Sequence, residues 1–527
     1  MNEIELILLL LVVLAALTPI ARMLRVPYPI LLVVGGLVLA LLPIVPDLEL
    51  SPEFVFLLFL PPLVYRAAFA TSIRDFRSLL KPILSLSIGL VLATMSVVAV
   101  ALHTLVPEIG WPLAFAFGAI VSPPDAVAAA AVFRGLGVPR HIATLLEGES
   151  LVNDATALVA LGAALGATTI AFSMGELSIR FAYVGLGGII VGLAVAVIVG
   201  WVQQRIEDPP VEITLSLLTP FAAYLPAESL GTSGVLAAVA AGLYFGWRSP
   251  YIFHSEARLR GRAVWDMVEF LLNGLVFILI GLQLSNILPN LAGRSMFDLI
   301  SWGLILSLAV IMVRLVWVYL DTYLRHWFLL LWPSLRARHH TSVGLDEPNP
   351  RELFVTGWAG MRGVVSLAAA LALPVATPER DLLIFLTFFV ILATLVGQGL
   401  SLPLVIRALN VGSDASAIAQ QEIHARRTAT EAATLRIEQL SEEWPDHMPL
   451  IETLRSQYDH RASHLTEDEE NPEHLDQELV EHHLIRRAVI EAERTAVLEL
   501  RARGEIDDEV WRHIERDFDL EDLRIDA

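Results

Sequence analysis

Cysteine is absent from the 527 residues, which excludes a disulfide framework, thiolate metal sites, iron–sulfur ligation and cysteine nucleophiles. Lysine is nearly absent too: Lys81 is the single one, and arginine supplies every other fixed cation. Charged residues make up only 17% of the chain, against roughly a quarter in ordinary soluble globular proteins. No nucleotide-binding loop, metal-protease helix or nucleophile elbow is legible, so the sequence argues against an enzyme and calls for no cofactor. What fills the space is apolar: 55% of residues are hydrophobic and the mean hydropathy is +0.63.

The charge is distributed unevenly. Residues 411–527 hold 30 Asp and Glu against 13 Arg, a net of −17 out of the chain's −20, leaving −3 for residues 1–410. Two domains follow: a nearly neutral apolar body, 1–410, and a strongly acidic tail, 411–527. Nucleic acid is excluded as a partner of the tail, and so is an anionic lipid surface, because both would be repelled.

The body is a series of apolar runs, most of them of the length that crosses about 30 Å of hydrocarbon, for which about 20 helical residues are needed. The runs fall at 4–24, 30–46, 53–72, 82–106, 110–134, 141–171, 177–203, 212–227, 233–247, 263–289, 297–330, 352–376 and 381–409. An all-α polytopic membrane protein of about thirteen spans is therefore expected, since the short alternating segments of a barrel are missing. Sixteen arginines and lysines, from Arg22 to Arg351, fall on one set of alternate loops and only Arg180, Arg294 and Arg380 on the other. This asymmetry predicts an external N-terminus and a cytoplasmic tail. The first span is expected to be retained, because the residues before it are acidic where a cleaved signal would be basic.

The tail has helical composition. Glu473 to Arg503 is rich in Ala, Leu, Glu and Arg, with Gly504 placed to end the helix, and Leu479, Leu484, Ile485, Val489, Ile490, Val497, Leu498 and Leu500 give it an apolar face. Thr466 to Pro472, with four consecutive acidic residues, reads as a disordered connector. Eight of the fourteen histidines also lie in this acidic module, which is expected to serve regulation, by pH, or assembly.

Ionisable residues inside apolar spans cost at least about 2.5 kcal/mol each to insert, which makes them candidates for function. The densest cluster is Glu147-Gly-Glu-Ser-Leu-Val-Asn-Asp154 in the sixth span. On a helix Ser150 and Asp154 are one turn apart, and Glu149 and Asn153 form a second such pair beside them. The fifth span carries Ser122-Pro123-Pro124-Asp125, where two prolines remove backbone donors and interrupt the helix. The twelfth span has the matching interruption, Gly357-Trp-Ala-Gly360-Met-Arg362-Gly363, with an arginine in its midst. Two broken segments seven spans apart are the pattern of inverted repeats in a secondary transporter, with the two unwound helices meeting at its site.

These strings, together with Leu60-Pro-Pro-Leu63, Ser233-Gly-Val-Leu236, Phe270-Leu-Leu-Asn-Gly-Leu-Val-Phe277 and Gly360-Met-Arg-Gly-Val-Val-Ser-Leu367, resemble those of bacterial sodium/proton antiporters of the monovalent cation:proton antiporter-1 family. The resemblance covers most of residues 1–410. It implies a homodimer in the lipid bilayer with a mobile core built around two crossed, unwound helices. It also implies residue roles: Asp154 as the carboxylate that binds Na+ or the proton, Asn153 and Asp125 as mutual partners that hold it, Ser150 as a ligand, and Glu149 paired with Arg362.

Two departures stand out. Many relatives have threonine before the aspartate at the fifth-span break, where this chain has Pro124, so one oxygen ligand has to come from a water or a backbone carbonyl. Relatives also often carry an acidic residue where this chain has Arg66. If one carboxylate holds a proton or a cation but never both, exchange is obligatory, and Asn153 in place of a second aspartate implies electroneutral exchange. Sodium, with lithium as a second cation, is the expected substrate against H+. Potassium/proton exchange is the alternative, with a gated cation channel or a membrane-tethered sensor further away.

Overall fold

A computed structural model describes residues 3–24, 26–40, 52–133, 136–167, 174–283, 291, 293–331, 349–374, 376–412, 415–470, 487–500 and a few single positions beyond. The chain divides into two compact units, Met1–Ser413 and Asp414–Ala527. Among the described residues both are helical, and no strand occurs.

In the first unit, helices stand at each apolar stretch read from the sequence: α1 (Glu3–Leu24), α2 (Tyr28–Ala40), α3 (Pro52–Ala70), the short α4 (Ile73–Ser78), then α5 (Leu80–Leu84) running through a π-helical turn at Ser85–Leu90 into α6 (Val91–Leu105). The fifth stretch is split into α7 (Trp111–Val121) and α8 (Ala126–Phe133). There follow α9 (Arg140–Gly166), α10 (Met174–Gln203), α11 (Pro209–Ser229), α12 (Gly234–Ile252), α13 (Ser255–Leu282) and α14 (Met296–Leu331). The twelfth stretch is split like the fifth, into α15 (Pro350–Trp358) and α16 (Val364–Leu371), and α17 (Arg380–Leu409) completes the unit. Seven of these segments are, by length and composition, long and apolar enough to cross a membrane, and α2 and Leu57–Ala70 are shorter apolar helices. The ends of the second, fifth, sixth and tenth stretches lie outside the described residues.

Local signals set the helix ends. Ser233 accepts from the Leu236 N–H at the start of α12 (3.2 Å), and Asn349 from the Arg351 N–H at the start of α15 (3.1 Å), where Pro350 occupies the first turn. Asn410, in the left-handed region at φ 52°, ends α17.

The packing has two centres. One cluster of buried side chains gathers α3, α10, α11 and α12 around Tyr65, Ala223, Ala238 and Phe245. The larger one joins α1, α2, α6 to α9, α13, α14 and the α15–α17 segment, with Phe117, Phe277, Leu306 and Ile391 at its heart. Small residues let helices of an apolar bundle approach backbone to backbone. At the α2–α13 contact a Cβ on Gly36 would stand 2.2 Å from the Ile278 carbonyl oxygen, and one on Gly281 2.2 Å from that of Val33.

In the second unit, α18 (Ala415–Glu443) is followed by a 3-10 turn at Pro445–His447 and α19 (Met448–Glu470), which packs back on α18. Arg436 holds Glu443 through two hydrogen bonds of 2.8 and 3.0 Å. The connector expected from Thr466 is helical through Glu470, because its glutamates are good helix formers and continue α19. Of the helix expected over 473–503, residues 487–500 are helical, and 473–486 with Gly504 lie outside the described residues. Ile490 is the buried residue of its apolar face, packed with Val497 and Ile514, whereas Val489 and Leu498 are exposed.

The close α2–α13 approach makes a specific demand on stability. Gly36→Val should cost about 1–3 kcal/mol or more, because the obstacle is backbone and cannot rotate away. Gly162→Ala on α9, where an added methyl meets nothing within 4 Å, should leave stability equal or slightly raised. Thermal melts of the purified variants measure both.

Candidate functional site

The two interruptions in the first unit are consequences of sequence. Pro123 and Pro124 have no N–H to continue α7, and the Ser122 hydroxyl turns back to the Ala119 carbonyl (2.9 Å), closing that half-helix. Asp125 then starts α8: its Oδ1 accepts from the N–H groups of Val127 (2.9 Å) and Ala128 (3.4 Å). On the other side α15 stops at Trp358, and Ala359 to Gly363 run unwound to α16.

The two breaks touch. The Asp125 N–H donates to the Met361 carbonyl (2.7 Å), and Arg362 Nε donates to the Val121 carbonyl at the end of α7 (2.8 Å). Arg362 Nη1 also donates to the Gly360 carbonyl, and the Arg362 N–H to the Thr394 hydroxyl of α17 (3.1 Å). Gly363 faces Asp125 so closely that a Cβ there would stand 1.8 Å from Oδ2, so no larger residue fits without moving the carboxylate.

Electrostatics follow from this crossing. Four half-helices present their ends to one another, carrying partial positive charge at N-termini and partial negative charge at C-termini. Asp125 sits at the N-terminus of α8 and against that of α16, while the buried Arg362 guanidinium donates to carbonyls at the end of α7 and in the unwound segment. Both fixed charges are answered by backbone dipoles.

The α9 string lies beside the crossing and divides between two directions. Ser150 and Asp154 line a cavity of about 80 Å³, together with Asp125, Glu147, Asn273 and Ser366 and apolar residues of α3. Asp154 is buried, and among the described residues no hydrogen bond or ion pair holds it. Glu149 is turned away from the cavity and is fully buried. Asn153 is fully buried with neither amide atom hydrogen-bonded, so the expected hydrogen bond with Asp125 is not formed.

The partner of Glu149 is a correction to the sequence reading. Arg314 of α14, itself fully buried, grips Glu149 with both terminal nitrogens, at 2.5 and 2.8 Å, and reaches the Thr356 carbonyl at 3.3 Å. Arg362 is engaged with carbonyls of the unwound segments and makes no ion pair with Glu149. A bidentate carboxylate–guanidinium pair is the arrangement that lets two opposite charges leave water together. Gly360 makes room for it, since a Cβ there would strike the Arg314 side chain. Behind Glu149, the Ser87 hydroxyl of the π-helical turn donates to its backbone carbonyl (3.0 Å). Arg314 was legible as a cation in the middle of the eleventh apolar run, which is a functional signal in its own right. Arg66, the departure on α3, pairs with Asp266 (2.7 Å) and Glu269 (3.5 Å) of α13.

Buried carboxylates beside two crossed, broken helices define the construction of a secondary ion transporter. The chain belongs to the sodium/hydrogen exchanger, transmembrane family, which it matches over residues 9–408. It is similar to an uncharacterized Na+/H+ exchanger of Mycobacterium tuberculosis, 36% identical over 521 residues, covering 95% of this chain and 92% of that protein. It is also similar to a sodium, potassium, lithium and rubidium/H+ antiporter of Bacillus pumilus, 34% identical over 396 residues, with 72% of this chain and 57% of that protein covered. In fold it resembles the sodium proton antiporter MjNhaP1 from Methanocaldococcus jannaschii, with a TM-score of 0.59 at 22% identity over 77% of this chain and 98% of that one.

The buried pair yields a coupling test. Glu149→Gln or Arg314→Met alone should each lower stability by about 3–5 kcal/mol, whereas the double variant should lose clearly less than the sum. Glu149→Gln combined with Arg362→Met should show clearly weaker coupling, and thermal melts of the five variants separate the two partners.

Proposed function

We propose that the protein exchanges Na+, with Li+ as a second cation, for H+ across the bacterial plasma membrane, one for one, by alternating access with competition at Asp154. The observation that carries this reading is the partnership of the buried acids at the crossing. Asp125 is tied by backbone N–H groups and Glu149 by Arg314, and Glu147 at the cavity wall is only half-buried, which leaves Asp154 as the buried carboxylate without a fixed partner among the described residues. An isolated buried carboxylate is costly in its charged form unless a proton or a cation joins it. A hard monovalent cation favours oxygen ligands, and the Asp154 carboxylate, the Ser150 hydroxyl and the carbonyls of the broken helices offer them. Either partner neutralises the site, while the empty site keeps its charge and cannot readily cross. Exchange is then enforced by one group, and one such group per cycle makes it electroneutral.

The names of the relatives as Na+/H+ exchangers and antiporters support the reading for this chain. Potassium/proton exchange is the second reading, favoured by the cation range in the name of the Bacillus pumilus relative and by Pro124, which offers no side-chain oxygen. The thirteen spans, the external N-terminus, the cytoplasmic tail and the homodimer belong to the same proposal.

Two experiments test this. In inverted vesicles, wild-type protein should give a saturable pH change on addition of Na+, with Li+ and K+ run in parallel and no accompanying membrane current. Asp154→Asn should abolish the response while the protein inserts normally, and a retained response would move the site elsewhere. For the tail, assigned here to regulation or assembly, truncation after Asn410 should shift the pH curve of exchange. An unchanged curve would leave the tail to assembly.

A further inference from the structure

We infer that the Ser366 hydroxyl, on the second broken helix, is an oxygen ligand of the cation that exchanges at Asp154. The inference rests on the exchanger reading and goes beyond it by naming a ligand on α16. Ser366 is buried to 1% exposure and lines the same small cavity as Asp154, Asp125 and Ser150. Its hydroxyl has no hydrogen-bond partner among the described residues. Several buried hydroxyls in this unit return to a carbonyl one turn back, Thr387 to Leu383 (2.8 Å), Thr394 to Val390 (2.8 Å) and Ser307 to Gly303 (2.7 Å), and the other partnerless ones among the described residues, of Thr94 and Tyr65, do not line the cavity. Ser366 lies in the first turn of α16, the residue four before it, Arg362, belongs to the unwound segment, and its hydroxyl does not turn back to Gly363 either. A buried hydroxyl without a partner is rare and calls for a ligand.

The chemistry of the cavity supplies the reason. Asp154 and Ser150 approach from α9 alone. The break between α7 and α8 contributes Pro123 and Pro124 to the wall, residues with neither hydroxyl nor N–H. Beside the α9 oxygens and the carbonyls of the breaks, Ser366 offers a hydroxyl oxygen from a different helix. Ligation by α9 and α16 together makes the bound cation a clasp across the crossing.

The test uses the full chain in vesicles and reads the apparent KM and maximal rate for Na+ at several pH values. Ser366→Ala and Ser366→Cys both remove the oxygen, and cysteine nearly preserves the volume, so it decides if the alanine variant folds poorly. Both should raise the Na+ KM about tenfold at every pH, with maximal rates within about twofold of wild type. Ser366→Thr, which keeps the hydroxyl, should restore the wild-type KM. A KM within about twofold of wild type in the variants lacking the oxygen overturns the inference. So does a KM rise that threonine does not restore, which marks a packing effect, or a loss confined to the maximal rate. Wild-type protein that gives no cation-triggered pH change would instead defeat the exchanger reading itself.

Discussion

The interaction on which the rest of the unit depends is the compensation of half-helix ends by two side chains. Interrupting two helices inside an apolar bundle exposes carbonyls and N–H groups that water cannot reach, and each unmet group is costly there. Asp125 answers the N-terminal ends and Arg362 the C-terminal ends, and each break also uses the backbone of the other through the Asp125 to Met361 hydrogen bond. The crossing is therefore one object: neither break is satisfied without its counterpart. Gly363 keeps the two surfaces in contact by having no side chain.

Once the crossing is balanced, the surrounding charges sort themselves. Glu149 and Arg314 neutralise each other between α9 and α14, behind the face that meets the cavity. Such a pair contributes little net stability against apolar residues of the same size, yet losing one member is severe, so its role is to fix α9 against α14. The face of α9 one residue further on then presents Ser150 and Asp154 to open space. Glu149 and Asp154, on the same helix, thus meet different surroundings, an ion pair on one side and a cavity on the other.

Much of this was legible in the sequence because membrane helices advertise themselves by hydropathy, and prolines and glycines by the helices they interrupt. The breaks at Pro123-Pro124 and Gly360 to Gly363, and the outward pair Ser150 and Asp154, follow from helical spacing and from missing N–H groups. The ion-pair partner did not follow. Arg362 and Arg314 are both arginines in apolar runs, and spacing along the chain cannot tell which one faces a glutamate more than 160 residues away. Only the folded path of α14 brings Arg314 to Glu149, while the free carbonyls at the breaks capture Arg362. The orphan hydroxyl of Ser366 was hidden for a similar reason, since a serine in an apolar run normally bonds its own helix and the absence of that acceptor appears only with the position of the break.

The central claim is that one carboxylate holds either a proton or a cation. It is tested most directly by counting protons released when Na+ binds to the purified protein in weakly buffered solution, at a pH where the site is protonated. The account predicts about one proton released per Na+ bound, and almost none from Asp154→Asn. Sodium binding to the wild-type protein without proton release would show that the two ions occupy separate groups, and would contradict it.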